Sequence, residues 1–106
     1  MSQRRFRVHD GVEDDLAEAV AYLLQESPAE AERLIEKFVD RMRFIARWPL
    51  VGPTIYVRYR HYVLKPFRYM IIHGVTETEI RVHRLTHAMR DPVTVQAEVE
   101  GRTFDA

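Results

Sequence analysis

The spacing of apolar residues along the chain changes period several times, and each change marks an element. Arg5-Phe6-Arg7-Val8 alternates polar and apolar, the period of a short strand with one buried face. From Val12 the spacing becomes helical. Val12, Leu16, Val20, Leu23 and Leu24 recur on one side, and Ala17, Ala19 and Ala21 favour helix between them. This predicts a first helix over residues 11–25, with Asp10 as its N-cap. Glu13, three residues on, completes a capping box in which each side chain satisfies an orphaned backbone N–H.

Ser27-Pro28-Ala29-Glu30 carries the same signal more sharply. Serine accepts from the backbone, glutamate reaches back, and proline at the first helical position has no N–H to leave unpaired. Leu34, Ile35, Phe38, Met42 and Ile45 then form a second helical stripe. Glu32, Arg33, Glu36, Lys37, Asp40 and Arg41 lie on the other sides. Pro49 restricts the residue before it, which ends this helix near Trp48 after about 20 residues, or roughly 30 Å. A linker this short makes the two helices antiparallel neighbours.

Gly52 and two prolines punctuate a loop over residues 49–53. Residues 56–60 fit neither period. Residues 61–65, 68–75 and 79–85 read as strands, joined by a tight connection at Pro66-Phe67 and a turn at Thr76-Glu77-Thr78. Three strands with short turns make a meander. The expected fold is α+β with the order β-α-α-β-β-β, a helical hairpin packed on a twisted, mostly antiparallel sheet. Residues 1–92 form one domain. Residues 93–106 are an acidic tail of weak periodicity whose order the pattern leaves open.

Composition narrows the class. A chain of 106 residues can bury roughly 65% of its unfolded surface, enough for one core. With 46% apolar and 30% charged residues, it has a globular rather than a disordered balance. The absence of cysteine excludes disulfides and thiolate metal sites. No apolar run approaches the ~20 residues of a membrane span. Met1-Ser2-Gln3-Arg4-Arg5-Phe6 lacks the apolar core of a signal peptide. The expected location is the cytoplasm, with no membrane partner.

Net charge is zero overall but unevenly spread. Residues 1–49 hold 8 Lys+Arg and 10 Asp+Glu, a net of −2; residues 50–90 hold 7 and 2, a net of +5; residues 91–106 hold 1 and 4, a net of −3. A basic middle region suits an anionic partner, and the acidic tail is suited to cover it; the plainer reading is a set of ordinary solvated arginines.

Most chemistry-bearing patterns are absent. His9, His61, His73, His83 and His87 fall in no metal-ligand spacing. His83 and His87 are four apart, which pairs ligands only on a helix, whereas a strand is expected there. His73, inside an apolar strand, reads as a core histidine. Four scattered glycines form no phosphate loop, and no serine sits in a nucleophile elbow. The remaining candidate is Arg84-Leu85-Thr86-His87-Ala88-Met89-Arg90-Asp91-Pro92. Here two arginines that can fork onto phosphate or carboxylate flank a histidine that can exchange a proton near neutrality. The plainer reading is that Asp91 pairs with Arg90 or Arg84 and fixes the turn.

Four segments together carry a family resemblance. They are Tyr22 followed by Ser27-Pro28-Ala29-Glu30-Ala31; Trp48-Pro49-Leu50-Val51-Gly52; Pro66-Phe67-Arg68-Tyr69-Met70-Ile71-Ile72; and the segment from Arg84 to Pro92. In this order and spacing, over about residues 5–92, the chain resembles the RelE/ParE toxin superfamily of type II toxin–antitoxin pairs. The resemblance implies a toxin neutralised by a cognate antitoxin in a hetero-oligomer, without cofactor or metal. It further implies one of two activities. RelE-like members cut messenger RNA on the ribosome with a sheet rich in Lys and Arg and often a late tyrosine. This chain has only Lys37 and Lys65, and no tyrosine after Tyr69. ParE-like members bind and inhibit DNA gyrase without evident catalytic residues, and Pro66-Phe67-Arg68-Tyr69 and the ending from His87 to Asp91 are closer to that branch. The expectation is therefore a ParE-like gyrase inhibitor rather than an enzyme. An mRNA endoribonuclease, or an inactive relative that only binds antitoxin, is the alternative. No residue stands out as catalytic. Arg60, Arg68, Arg84, His87 and Arg90 form the candidate functional surface.

Overall fold

The computed structural model describes residues 3–105. Residues 1, 2 and 106, which include the first positions of the leader reading and the last of the tail, lie outside that range. The order of elements is β1 (Arg5–Val8), α1 (Gly11–Glu26), α2 (Pro28–Arg47), β2 (Thr54–Ile55), β3 (Tyr59–Leu64), β4 (Tyr69–Val75), β5 (Glu79–His87) and α3 (Pro92–Gly101). The strands form one sheet in the order β1-β5-β4-β3-β2. β1 runs parallel to β5, and the other pairings are antiparallel.

The sheet is covered on both faces. Val12 and Ala19 of α1 with Leu34, Phe38 and Ile45 of α2 pack on Leu64, Ile71, Ile80, Val82 and Leu85. On the opposite face Val95 and Val99 of α3 pack on Met70 and Ile72. Side chains alternate across a strand, so Met70-Ile71-Ile72 reads as an unbroken apolar run because β4 is buried on both sides. The tail left open by the sequence pattern is therefore a helix. Pro92 stands at its start, and Asp91 Oδ2 accepts from Thr94 N at 3.1 Å and Thr94 Oγ1 at 2.8 Å.

Three local expectations change. Asp10 makes no side-chain cap to α1; the ring of His9 accepts from Gly11 N at 3.0 Å in its place. Ser27 does cap α2, its Oγ accepting from Glu30 N at 3.3 Å, but the Glu30 carboxylate turns outward to Arg33. Residues 56–60 fit no period because they contain the turn from β2 into β3, in which Tyr56 and Val57 both adopt positive φ. A short added strand, β2, precedes that turn and pairs with β3.

A single residue, Ser27, ends α1 and starts α2, its N–H donating to Leu23 O at 2.8 Å. Replacing Ser27 by Ala is expected to lower unfolding free energy by about 1 kcal/mol, the usual cost of a lost N-cap. A urea titration checks it, with the midpoint falling and the slope unchanged. Gly52 has φ of 85°, and a Cβ there would stand 2.3 Å from His61 O. Only glycine lets the loop after α2 lie this close to β3.

Candidate functional site

α1 lies beside β5 at the point where β1 has ended. β1 pairs with Glu79 to Val82 only, so the edge of β5 beyond Val82 would expose unpaired backbone groups. Two side chains from distant parts of the chain satisfy it. Asp15 of α1 accepts from Leu85 N at 3.0 Å, and Arg102, just past α3, donates to His83 O at 2.9 Å. The same two side chains are paired, with Arg102 Nη1 2.5 Å from Asp15 Oδ2 and Nη2 2.9 Å from Oδ1. Arg84 contributes a third member. Its Nη1 contacts Asp15, and its Nε lies 3.2 Å from Glu98 of α3. Burial opposes the charge on Asp15, but the hydrogen bonds from Arg102 and Leu85 N and the two guanidinium charges outweigh it. They hold its carboxyl below the usual range.

A cleft of about 220 Å³ opens beside this network, with Glu18 and Tyr22 of α1 facing Tyr69, His87 and Arg90. Tyr69 and His87 are register partners, their rings meeting edge to face at 5.1 Å and 81°. Met89 N donates to His87 Nδ1 at 3.1 Å, so in the neutral ring the proton sits on Nε2. Burial, then the neighbouring Tyr22 and Glu18, raise the Tyr69 phenol above its ordinary value. It is protonated near neutrality.

The five sequence candidates thus divide. His87 and Arg90 line the cleft, and Arg68 stands exposed at the same end of the sheet, its carbonyl accepting from Ala88 N at 2.6 Å. Arg84 also reaches the cleft wall, but it is 7% exposed and held by Asp15 and Glu98. Arg60 is four residues before the end of β3, about 13 Å away along the strand, and donates to Gly52 O at 2.7 Å to fix the loop. Arg90 Nη1 lies 3.3 Å from Glu98, a carboxylate it shares with Arg84. Asp91 pairs with neither Arg84 nor Arg90, because its carboxylate caps α3. Among the described residues no three His, Asp or Glu side chains cluster to hold a metal ion.

Asp15, Glu98 and Arg102 did not stand out in the sequence. The signal for Asp15 was there. It sits three residues after Val12 and four before Ala19, on the face that both bury. A carboxylate on a buried stripe requires a cation. The lone arginine of the acidic tail supplies one.

Two histidines are structural. His73 Nε2 is 2.7 Å from Pro49 O, and burial lowers its affinity for protons. His83 lies between Tyr59 at 5.0 Å and Phe104 at 4.9 Å. Burial, aided by His9 and Arg81, pushes its imidazole down to about 4. The unfolded chain takes up this proton near pH 6.5 and the folded chain only near 4. Stability is therefore full above pH 6.5 and falls as pH drops through that window, by up to about 3 kcal/mol for His83 alone. Denaturation midpoints measured from pH 7 to 4.5 should fall accordingly, and His83→Gln should flatten the profile.

Comparison with known proteins agrees with this architecture. A family model described as "ParE toxin of type II toxin-antitoxin system, parDE" matches residues 6–92. The toxins named ParE2 of two Mycobacterium tuberculosis strains, CDC 1551 / Oshkosh and H37Rv, are each 41% identical over 103 residues, covering 96% of this chain and 98% of theirs. A solved structure titled "Chromosomal ParDE TA system from P. aeruginosa" superposes with a TM-score of 0.68 at 16% identity. It covers 80% of this chain and 96% of that one, a likeness of fold.

Proposed function

Because the chain belongs to the ParE toxin family of type II toxin–antitoxin systems, we propose that it arrests growth in the cytoplasm by binding and inhibiting DNA gyrase. A cognate antitoxin holds it inactive in a hetero-oligomer. The observation that supports binding over RNA cleavage is the state of Arg84. Cleaving RNA needs a base for the 2′-hydroxyl, an acid for the leaving oxygen, and free cations over the phosphate. Arg84 is buried between Asp15 and Glu98, and Glu98 also holds Arg90. What remains at the surface is a binding rim of Arg68, His87 and Arg90.

The rim is tested by Arg68→Ala and Arg90→Ala in one chain, expressed without antitoxin. Relief of growth arrest with an unchanged melting temperature is expected. Full arrest by a folded variant would remove the rim assignment. Arg84→Ala is unsuited to this test, since it strips a buried ion pair and destabilises the fold. Mapping of transcript ends after induction separates the readings further: new cleavage ends in cellular messages would overturn the gyrase proposal.

A further inference from the structure

Away from the cleft, a groove of about 380 Å³ runs between α2 and the outer edge of β3. Lys37 and Arg41 line it from α2, and His61 and Lys65 from β3 and its end; among the described residues no Asp or Glu lines it, while Glu30, Glu36 and Asp40 line the adjoining pocket that shares both lysines. Lys37 and Lys65 are the chain's two lysines. Lys37 and Arg41 are one helical turn apart, on the same face, about 6 Å along the axis. Arg7, Arg81, Arg84, Arg90 and Arg102 each have a carboxylate partner, but among the described residues neither lysine has one within 4.0 Å. Among the described residues the carboxylate partner of Arg41 is Asp40, at 3.8 Å.

The groove is also partly ordered in advance. The Arg41 guanidinium lies over the rings of Phe44 at 5.8 Å and Tyr62 at 5.4 Å, and those rings meet edge to face at 5.9 Å. Stacking of this kind fixes the planar fork before any ligand arrives. Among the described residues Arg41 Nε and His61 Nδ1 are buried without a hydrogen-bond partner, so the terminal Nη groups of Arg41, rather than Nε, are the donors left for a ligand.

We propose that this groove binds a phosphate group, carried by a nucleotide or by a polynucleotide backbone. Several nitrogen-bearing side chains around one compact groove match a small anion with several charged oxygens. The carboxylates of an extended acidic peptide lie about 7 Å apart along one side of a strand and would meet these groups singly.

Titration of the full-length labelled protein, followed by amide NMR, tests this. The probes are inorganic phosphate, adenosine monophosphate, a twelve-nucleotide single-stranded DNA and hexaglutamate. Saturable shifts at residues 37, 41, 61 and 65 are expected with the phosphate probes. Lys37→Gln with Lys65→Gln should weaken them at least tenfold while signals elsewhere stay in place. Stronger binding of DNA, with affinity falling steeply with salt, identifies a polynucleotide; equal or tighter binding of the mononucleotide identifies a nucleotide. No saturation by any phosphate probe up to about 10 mM, an unaffected double variant, or saturation by hexaglutamate alone would overturn the proposal.

Discussion

Asp15→Ala is expected to lower unfolding free energy by about 3–5 kcal/mol, the usual result of removing one partner of a buried charge cluster. The carboxylate takes contacts from Arg84, Arg102 and Leu85 N. Without it two guanidinium groups face each other in a poorly solvated place, and a backbone N–H at the sheet edge loses its acceptor. Asp15→Asn keeps an acceptor but no charge, and should recover part of the loss. The pH dependence has a defined sign. The folded carboxyl titrates below its unfolded value, so its contribution is complete above about pH 4 and disappears as pH falls through the lower folded value. In the alanine variant the acid limb below pH 4 should be shallower. Chemical denaturation at pH 7 and at pH 3 measures both effects; a loss under about 1 kcal/mol at pH 7 would show that the cluster is not what closes the edge of β5.

The second large effect is expected from deletion of residues 92–106. Val95 and Val99 are fully buried on Met70 and Ile72, and each buried valine contributes about 1.5–3 kcal/mol. The deletion also takes Arg102 from Asp15, Glu98 from Arg84, and Phe104 from the ring of His83. Together these amount to at least about 4 kcal/mol, or a fall of about 15 °C or more in melting temperature for a domain of this size. The truncated chain is expected to be poorly soluble, with one face of its sheet bare. A cooperative melt at the temperature of the full chain would contradict the view that α3 is part of the core. Growth arrest by the truncated chain then has meaning only where it is shown to be folded.

The helical hairpin was legible because its signals are local. Ser27-Pro28 caps α2 through neighbours, and the stripe through Leu34, Phe38 and Ile45 reports burial at a fixed period. The central strand was legible for the same reason. α3 uses similar grammar, with Asp91 as cap and Pro92 after it, but its apolar face is only Val95 and Val99, too short a stripe to show a period. β2 has two residues, fewer than any alternation can register.

The candidate site was legible only in part. His87 and Arg90 stand together because they are close in sequence. The partners of Arg84 lie 69 and 14 residues away, and no local pattern joins such positions. The segment from Arg84 to Pro92 therefore showed two arginines as equal, while the fold buries one and exposes the other. The basic balance of residues 50–90 pointed to an anionic partner. Part of that balance is answered inside the molecule by Glu98 of the acidic tail, which holds Arg84 and Arg90.

The central claim is that this toxin acts by occupying gyrase. It is tested most directly by adding the purified full-length protein to DNA gyrase in a plasmid supercoiling assay. Dose-dependent loss of supercoiling, reversed by the cognate antitoxin, is the predicted result. Undiminished supercoiling at a large molar excess of folded toxin, in a preparation that still arrests growth when expressed, would contradict it.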